Sequence, residues 1–297
     1  MIKINIKNCW KIIKDKNELF LLKIIEKALN EEVEITGIKE ADLILLYNFS
    51  RHKSILKTLN RWIKSTDNDK NNFNLIFGIP KNKKILAVSH ENLDSIYWNW
   101  FGQLLIKHNI HRLTSWPEIV DPGGCQFPYW YNFIKYEEFF MPEKYYSRFG
   151  EPLSPEKLTN PLYDDNGGRK DAVCVMAGHL RFPRNNVIEN LKKIKPVDIY
   201  GYAGQKWEGS KLELLKQYKY CFCSENSLGY GYETEKVPEA WHAGCIPVGY
   251  FQTRPSNFNP EVLSISFENE QNTYCKPLIY AKPSLNPIFD YIKKIFY

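Results

Sequence analysis

The sequence predicts an α/β chain of two doubly wound units, each an open and mostly parallel sheet with helices on its faces. Three observations carry this. Short apolar runs alternate with helical spacings through the first half; a stretch rich in Pro, Asp, Asn and Gly interrupts them; and the alternation then restarts.

In the first half, Ile2 to Ile6 alternates like a strand, and Leu19 to Leu29 has the apolar spacing of a helix. Ala41 to Tyr47 is a continuous apolar run, as a buried parallel strand requires. A helical stretch follows from Ser54 to Ile63, then two short strands at Leu75–Gly78 and Ile85–Val88. Residues 151–170 gather Pro152, Pro155, Pro161, Asp164-Asp165-Asn166 and Gly167-Gly168, the composition of a linker. The expected domains are therefore residues 1–150, a linker over 151–170, and residues 171–297.

The second half begins with a strand at Ala172–Met176, a helix at Asn185–Lys195 and a strand at Val197–Gly201. Ser210 and Glu213 have capping-box spacing and open a helix to about Gln217. Tyr218 to Cys223 reads as a strand, Thr234 as the cap of a helix ending at Gly244, and Ile246–Gly249 as the next strand. Two such units leave a cleft between them, and ligands of doubly wound sheets bind at the carboxyl ends of the strands.

Composition narrows the class. The chain of 297 residues carries a net charge of +6, and its lysines are scattered, with no nucleic-acid signature. Anionic small partners such as a nucleotide sugar fit this balance; no nucleic-acid partner is expected. Seven cysteines, several inside apolar runs, point to buried free thiols in a reducing compartment. No segment has the roughly 18–20 apolar residues of a membrane span, and the start lacks the apolar core of a signal peptide. A cytoplasmic location is expected. Peripheral membrane association is left open, and nothing in the sequence indicates it. Aromatic residues make up 15% of the chain. Those of Ile96–Phe101 and Phe127–Tyr131 are expected to lie mostly in the core, with one or two free to stack on sugars.

The chemistry concentrates in Ser224-Glu225-Asn226-Ser227-Leu228-Gly229-Tyr230-Gly231-Tyr232-Glu233-Thr234-Glu235-Lys236. This segment leaves a strand, passes through a glycine-containing loop and enters a helix, which is the placement of a nucleotide-phosphate site. Lys236 falls in the first helical turn, where the helix dipole disfavours a cation unless an anion binds beside it. A solvent-exposed lysine is the alternative. Glu235 suits the same turn on its own account, or accepts hydrogen bonds from ribose hydroxyls. Tyr232 reads equally as a core aromatic or as a platform for a sugar ring.

Glu225-Asn226-Ser227, the run Gly229-Tyr230-Gly231-Tyr232 followed by Thr234-Glu235-Lys236, and Ala243-Gly244-Cys245-Ile246-Pro247-Val248 together resemble the donor-binding signature of the family 10 glycosyltransferases, the α-1,3/1,4-fucosyltransferases, in its bacterial spelling. The resemblance is close from Tyr218 to Gly249 and looser elsewhere. It implies a GT-B architecture of two Rossmann-like domains facing across a cleft, with the acceptor on the first and the GDP-sugar on the second. Pro183-Arg184-Asn185-Asn186 is similar to the family segment whose arginine holds the donor diphosphate. Ser89-His90-Glu91-Asn92 resembles the family's Gly-Glu-Asn near the acceptor, with His90 in place of the glycine, which makes Glu91 the expected general base.

The implied reaction is inverting transfer of L-fucose from GDP-fucose to a hydroxyl of an oligosaccharide. Arg184 and Lys236 would hold the diphosphate, Asn226 and Glu235 would orient the donor, and Tyr232 would lie near the fucose or diphosphate. No Asp-x-Asp motif follows a strand, so no metal site and no obligatory cofactor is expected, with room left for stimulation by divalent ions. A transferase using another GDP-sugar, and a non-catalytic binding relic, remain the alternatives. The amphipathic ending Phe289–Tyr297 is expected to pack back on the first domain.

Overall fold

The computed structural model describes residues 1–7, 19–47, 77–80, 82–95, 98–139, 142–163, 168–202, 204–251, 257–264 and 266–297. The helix expected at Ser54–Ile63, the start of the strand expected at Leu75 and the acidic pair Asp164-Asp165 lie outside the described residues. Phe77, expected in that strand, is helical.

The chain forms two compact units. Unit 1 comprises Met1–Phe127 and Ser284–Tyr297; unit 2 is Pro128–Pro283. The division falls at Phe127/Pro128 and not in the 151–170 stretch, which corrects the expected boundary. The reason is apolar burial. Trp130, Ile134, Phe149, Leu153, Leu158 and Leu162 all join the core of unit 2. Prolines and glycines mark this stretch as irregular, but the large side chains between them tie it down.

Among the described residues, unit 1 holds a six-stranded sheet in the order β2-β1-β3-β4-β5-β6. The strands are β1 (Ile2–Lys7), β2 (Val33–Ile35), β3 (Leu43–Tyr47), β4 (Lys84–Val88), β5 (His111–Thr114) and β6 (Cys125–Gln126), and every pairing is parallel. All five residues of β3 are buried, as expected of a central parallel strand covered on both faces. Helix α1 (Phe20–Leu29) ends at Asn30 in the left-handed conformation, and α2 (Asn99–Lys107) buries Phe101, Leu104 and Leu105.

Unit 2 contains α3 (Pro155–Thr159), β7 (Lys170–Met176), α4 (Arg184–Leu191), β8 (Val197–Tyr200), α5 (Lys211–Leu215), β9 (Tyr218–Phe222), α6 (Lys236–His242) and β10 (Ile246–Val248). Its four-stranded parallel sheet has the order β10-β9-β7-β8. The chain thus steps from β7 to one side for β8 and returns to the other side for β9 and β10. Loops leaving the carboxyl ends of β7 and β9 part in opposite directions there, which opens a crevice at the strand ends. The capping box at Ser210 and Glu213 forms with both reciprocal hydrogen bonds. The last helix, α7 (Asn286–Phe296), packs against α1 and β6 within unit 1.

Candidate functional site

The crevice of unit 2 is flanked by the segment after β7, which leads to Arg184, and the segment after β9, which starts at Cys223. Arg184 is the first residue of α4 and is only 4% exposed. One terminal guanidinium nitrogen donates to the Ser224 carbonyl at 3.1 Å. Its Nε is buried with no hydrogen-bond partner among the described residues. Burial lowers the guanidinium pKa from the ordinary arginine value, against the pull of Glu225, Tyr232 and Glu235. A buried donor without an acceptor is costly, and an incoming anion relieves that cost. Ser224 joins the neighbouring strand ends as well, because its hydroxyl accepts the Tyr250 N–H at 2.7 Å. Gly249 makes this approach possible: with φ at 144°, a Cβ there would stand 2.5 Å from the Ser224 hydroxyl.

Beyond Ser224 the chain places Glu225 opposite the start of α6. The Glu225 carboxylate accepts the Thr234 N–H at 2.7 Å, the Thr234 hydroxyl at 2.8 Å and the Lys236 ammonium at 2.5 Å. Lys236 also donates to the Thr234 hydroxyl at 2.7 Å. Thr234 was expected to cap the helix. The cap position is instead Glu235, because the Thr234 hydroxyl is committed to Glu225 and Lys236. Lys236 is not the free surface cation of the alternative reading; it is a partly buried member of an ion pair.

Glu235 experiences opposed influences: burial raises its carboxyl pKa, but Lys236 and Lys211 outweigh burial and leave it below the ordinary carboxylate value. It is charged at neutral pH and available to accept hydroxyl hydrogen bonds. Tyr232 is buried, so of its two readings the core position holds for most of its surface. Asn226 is exposed, without a hydrogen bond among the described residues. Arg184, Glu225, Thr234, Glu235 and Lys236 gather at one strand-end crevice, and Asn226 sits on its loop.

The helix carrying Lys236 is held from several sides. Lys211 on α5 makes a buried 2.5 Å ion pair with Glu239 on α6. Burial alone would lower the Lys211 pKa, but Glu239, with Cys221 and Glu235, raises it above the ordinary lysine value. The helix closes with Gly244 at φ 82°, where Cys245 N–H bonds the Ala240 carbonyl at 2.8 Å and Gly244 N–H bonds the Trp241 carbonyl at 2.9 Å. Glu233 is turned away from the crevice work: its carboxylate receives the Asn257 backbone and side-chain N–H groups.

Glu91 lies in unit 1, just past the carboxyl end of β4. It is half-buried, its backbone N–H donates to the Ser89 hydroxyl at 3.3 Å, and its carboxylate accepts no hydrogen bond among the described residues. Burial pushes its pKa above the ordinary carboxylate value. Neighbouring His90 packs against Phe127 with the two rings tilted, and burial lowers its pKa to about 4, so its ring is neutral at pH 7.

Ser224, Glu225 and Thr234 are the participants that motif reading passed over. Glu225 stood inside the signature, yet its pairing with Lys236 spans 11 positions and follows no local period. Among the described residues no group of three or more His, Cys, Asp or Glu side chains is arranged to hold a metal ion, and no helix is long and apolar enough to cross a membrane. Five of the six described cysteines are buried or half-buried and all six are free thiols.

Comparison with known proteins bears directly on this geometry. Residues 167–270 match the C-terminal model of glycosyltransferase family 10 (fucosyltransferase). A segment of 88 residues is 36% identical to the α-(1,3)-fucosyltransferase FucT of Helicobacter pylori, covering 26% of this chain and 17% of that protein. The chain therefore matches well under two thirds of that relative's length. A crystal structure of an α1,3-fucosyltransferase with GDP-fucose superposes at a TM-score of 0.56 and 19% identity, over 99% of this chain and 90% of the other. A second crystal structure of an α1,3-fucosyltransferase gives 0.57 at the same identity, over 99% and 89%. At such identity the likeness speaks for the fold. Residues 167–270 are thus similar to the C-terminal domain of the family 10 glycosyltransferases (fucosyltransferase), and the two parallel-sheet α/β units share the fold of the solved α1,3-fucosyltransferases.

Proposed function

We propose that the protein transfers L-fucose from GDP-fucose, with inversion at the anomeric carbon, to a hydroxyl of an oligosaccharide in α-1,3 or α-1,4 linkage. The observation that carries this reading is the buried Arg184, with its Nε unsatisfied, beside the Glu225-bound Lys236 at the crevice of unit 2. Two cations there suit a nucleotide diphosphate. The solved fucosyltransferase with GDP-fucose gives the donor its proposed identity.

In this reaction the sugar gains oxocarbenium character while negative charge grows on the departing diphosphate. The Arg184 fork and the Lys236 ammonium stabilise that charge. Glu235 accepts hydrogen bonds from the ribose, Asn226 orients the donor, and Tyr232 lies near the fucose or diphosphate. Glu91 takes the proton from the acceptor hydroxyl as the new bond forms; its burial-raised pKa makes it a stronger base than an ordinary carboxylate. The protein's own cations fill the role that a divalent ion fills in other transferases, so such ions are expected to stimulate at most.

Calorimetric titration with GDP-fucose, GDP-mannose and UDP-galactose tests the reading. GDP-fucose is expected to bind, and Lys236→Ala to weaken it by roughly 10–100-fold, the worth of a hydrogen bond to a charged group. Equal binding of GDP-mannose would keep the GDP site and remove the case for fucose. No binding of either guanosine donor would overturn the assignment.

A further inference from the structure

We infer that Glu225 is a positioning residue that fixes the Lys236 ammonium and offsets its charge, so that the donor diphosphate is held loosely in the ground state and supported as it departs. The inference rests on the GDP-sugar reading of the crevice and gives a role to a crevice residue which that reading leaves without one.

The geometry points there in three steps. First, an ammonium has three N–H donors. Glu225 takes one of the Lys236 donors at 2.5 Å and the Thr234 hydroxyl takes another at 2.7 Å, which leaves one for a phosphate oxygen. The direction of that remaining N–H is then set by the two bonds already made. Second, Glu225 is itself fixed. Its other oxygen accepts both the backbone N–H and the hydroxyl of Thr234, at 2.7 and 2.8 Å, so the carboxylate cannot swing without breaking several bonds. Lysine is a long side chain with much rotamer freedom to lose, and this clamp removes that freedom before any ligand arrives.

Third, the charges balance. Arg184 and Lys236 bring two positive charges to the crevice, and Glu225 and Glu235 bring two negative ones. A fully cationic pocket would bind the nucleotide diphosphate tightly before and after transfer alike, which aids neither the chemical step nor release. With Glu225 present, the ground-state anion gains less from Lys236. As charge builds on the leaving diphosphate, the attraction grows, and the ammonium is already in place for it.

The test uses the full chain, with GDP as the probe in calorimetry and GDP-fucose in steady-state transfer. Glu225→Gln keeps the shape and one acceptor for Thr234 and removes the charge. Its GDP affinity is expected to rise about tenfold, the effect of deleting one nearby negative charge at intermediate dielectric. The kcat is expected to fall about tenfold while the donor KM falls, because the lysine is no longer held for the departing charge. Glu225→Asp, which retains the charge, should return GDP affinity toward that of the unaltered protein. In a Lys236→Ala background Glu225→Gln should leave kcat unchanged, since the positioning effect runs through the lysine, while the direct effect of the deleted charge on GDP affinity persists. Weaker GDP binding in Glu225→Gln, or the same loss of kcat with and without Lys236, would overturn the inference and indicate a purely structural carboxylate. Failure of the unaltered protein to bind GDP would instead overturn the donor assignment, so the two failures are distinct.

Discussion

Burial raises the pKa of the Glu91 carboxylate above the ordinary carboxylate value, and this gives its role a pH signature. A base must be ionised, so kcat/KM should rise through an acid limb that lies above the ordinary carboxylate pKa. Glu91→Gln should lose that limb and about 10²–10⁴-fold in kcat, with GDP affinity unchanged. The stability effect has the opposite sense. A raised folded-state pKa means the contribution is fully present below the unfolded value and is lost as pH rises through the folded one. The Gln variant should therefore melt slightly higher than the parent at neutral pH, as a thermal scan will read. Residues such as Arg184 and Lys236 were legible because a motif fixes them relative to a strand end. The pairing of Lys236 with Glu225 was not, because contacts between a loop and a helix start depend on how the loop turns back, and no sequence period encodes that.

At the scale of elements, the reading succeeded where an apolar period ran long enough. The strands β1, β3, β4, β7, β9 and β10, together with α1 and α5, were anticipated within a few residues. It missed β2, which has three residues, and β6, which has two, since neither displays a pattern. It missed β5 because that strand begins His111-Arg112; Arg112 is nonetheless buried, its Nε donating to Asp121 at 2.7 Å. Charge concealed in this way defeats a hydropathy reading. A comparable concealed contact governs α6. The buried His242 ring accepts the Ser154 N–H through Nδ1 at 3.0 Å and meets Glu151 through Nε2 at 2.6 Å, with Lys157 also beside it. Burial lowers its pKa, with Lys157 and Lys216 acting in the same sense and Glu151 against it. Its contribution to stability is thus present above the ordinary histidine pKa and lost as pH falls through the lowered folded value. Protonation would set an N–H against the Ser154 N–H and loosen α3 from α6. Thermal scans from pH 7 to pH 5 should show a fall in Tm that His242→Gln flattens.

For the whole molecule, the class of fold was legible and the partition was not, because linker composition says where a chain is irregular but not which core its large side chains enter. Unit 1 is closed by residues far along the chain. Ile288, Phe289, Ile292 and Ile295 of α7 are buried, and the Tyr291 hydroxyl accepts the Arg112 N–H at 3.1 Å and donates to the Gly123 carbonyl at 3.0 Å. At about 1.5–3 kcal/mol per buried apolar side chain, these four match the entire stability of a typical domain. Removal of residues 284–297 should leave unit 1 unable to hold its fold while the amides of unit 2 stay protected, as hydrogen exchange will report. The same arrangement orders events during synthesis. All of unit 2 is synthesised before the helix that completes unit 1, so the first unit begun is the last one finished. Until then α1 and the sheet beside it present an apolar face with nothing against it, and chaperone demand should fall on the amino-terminal part of the nascent chain.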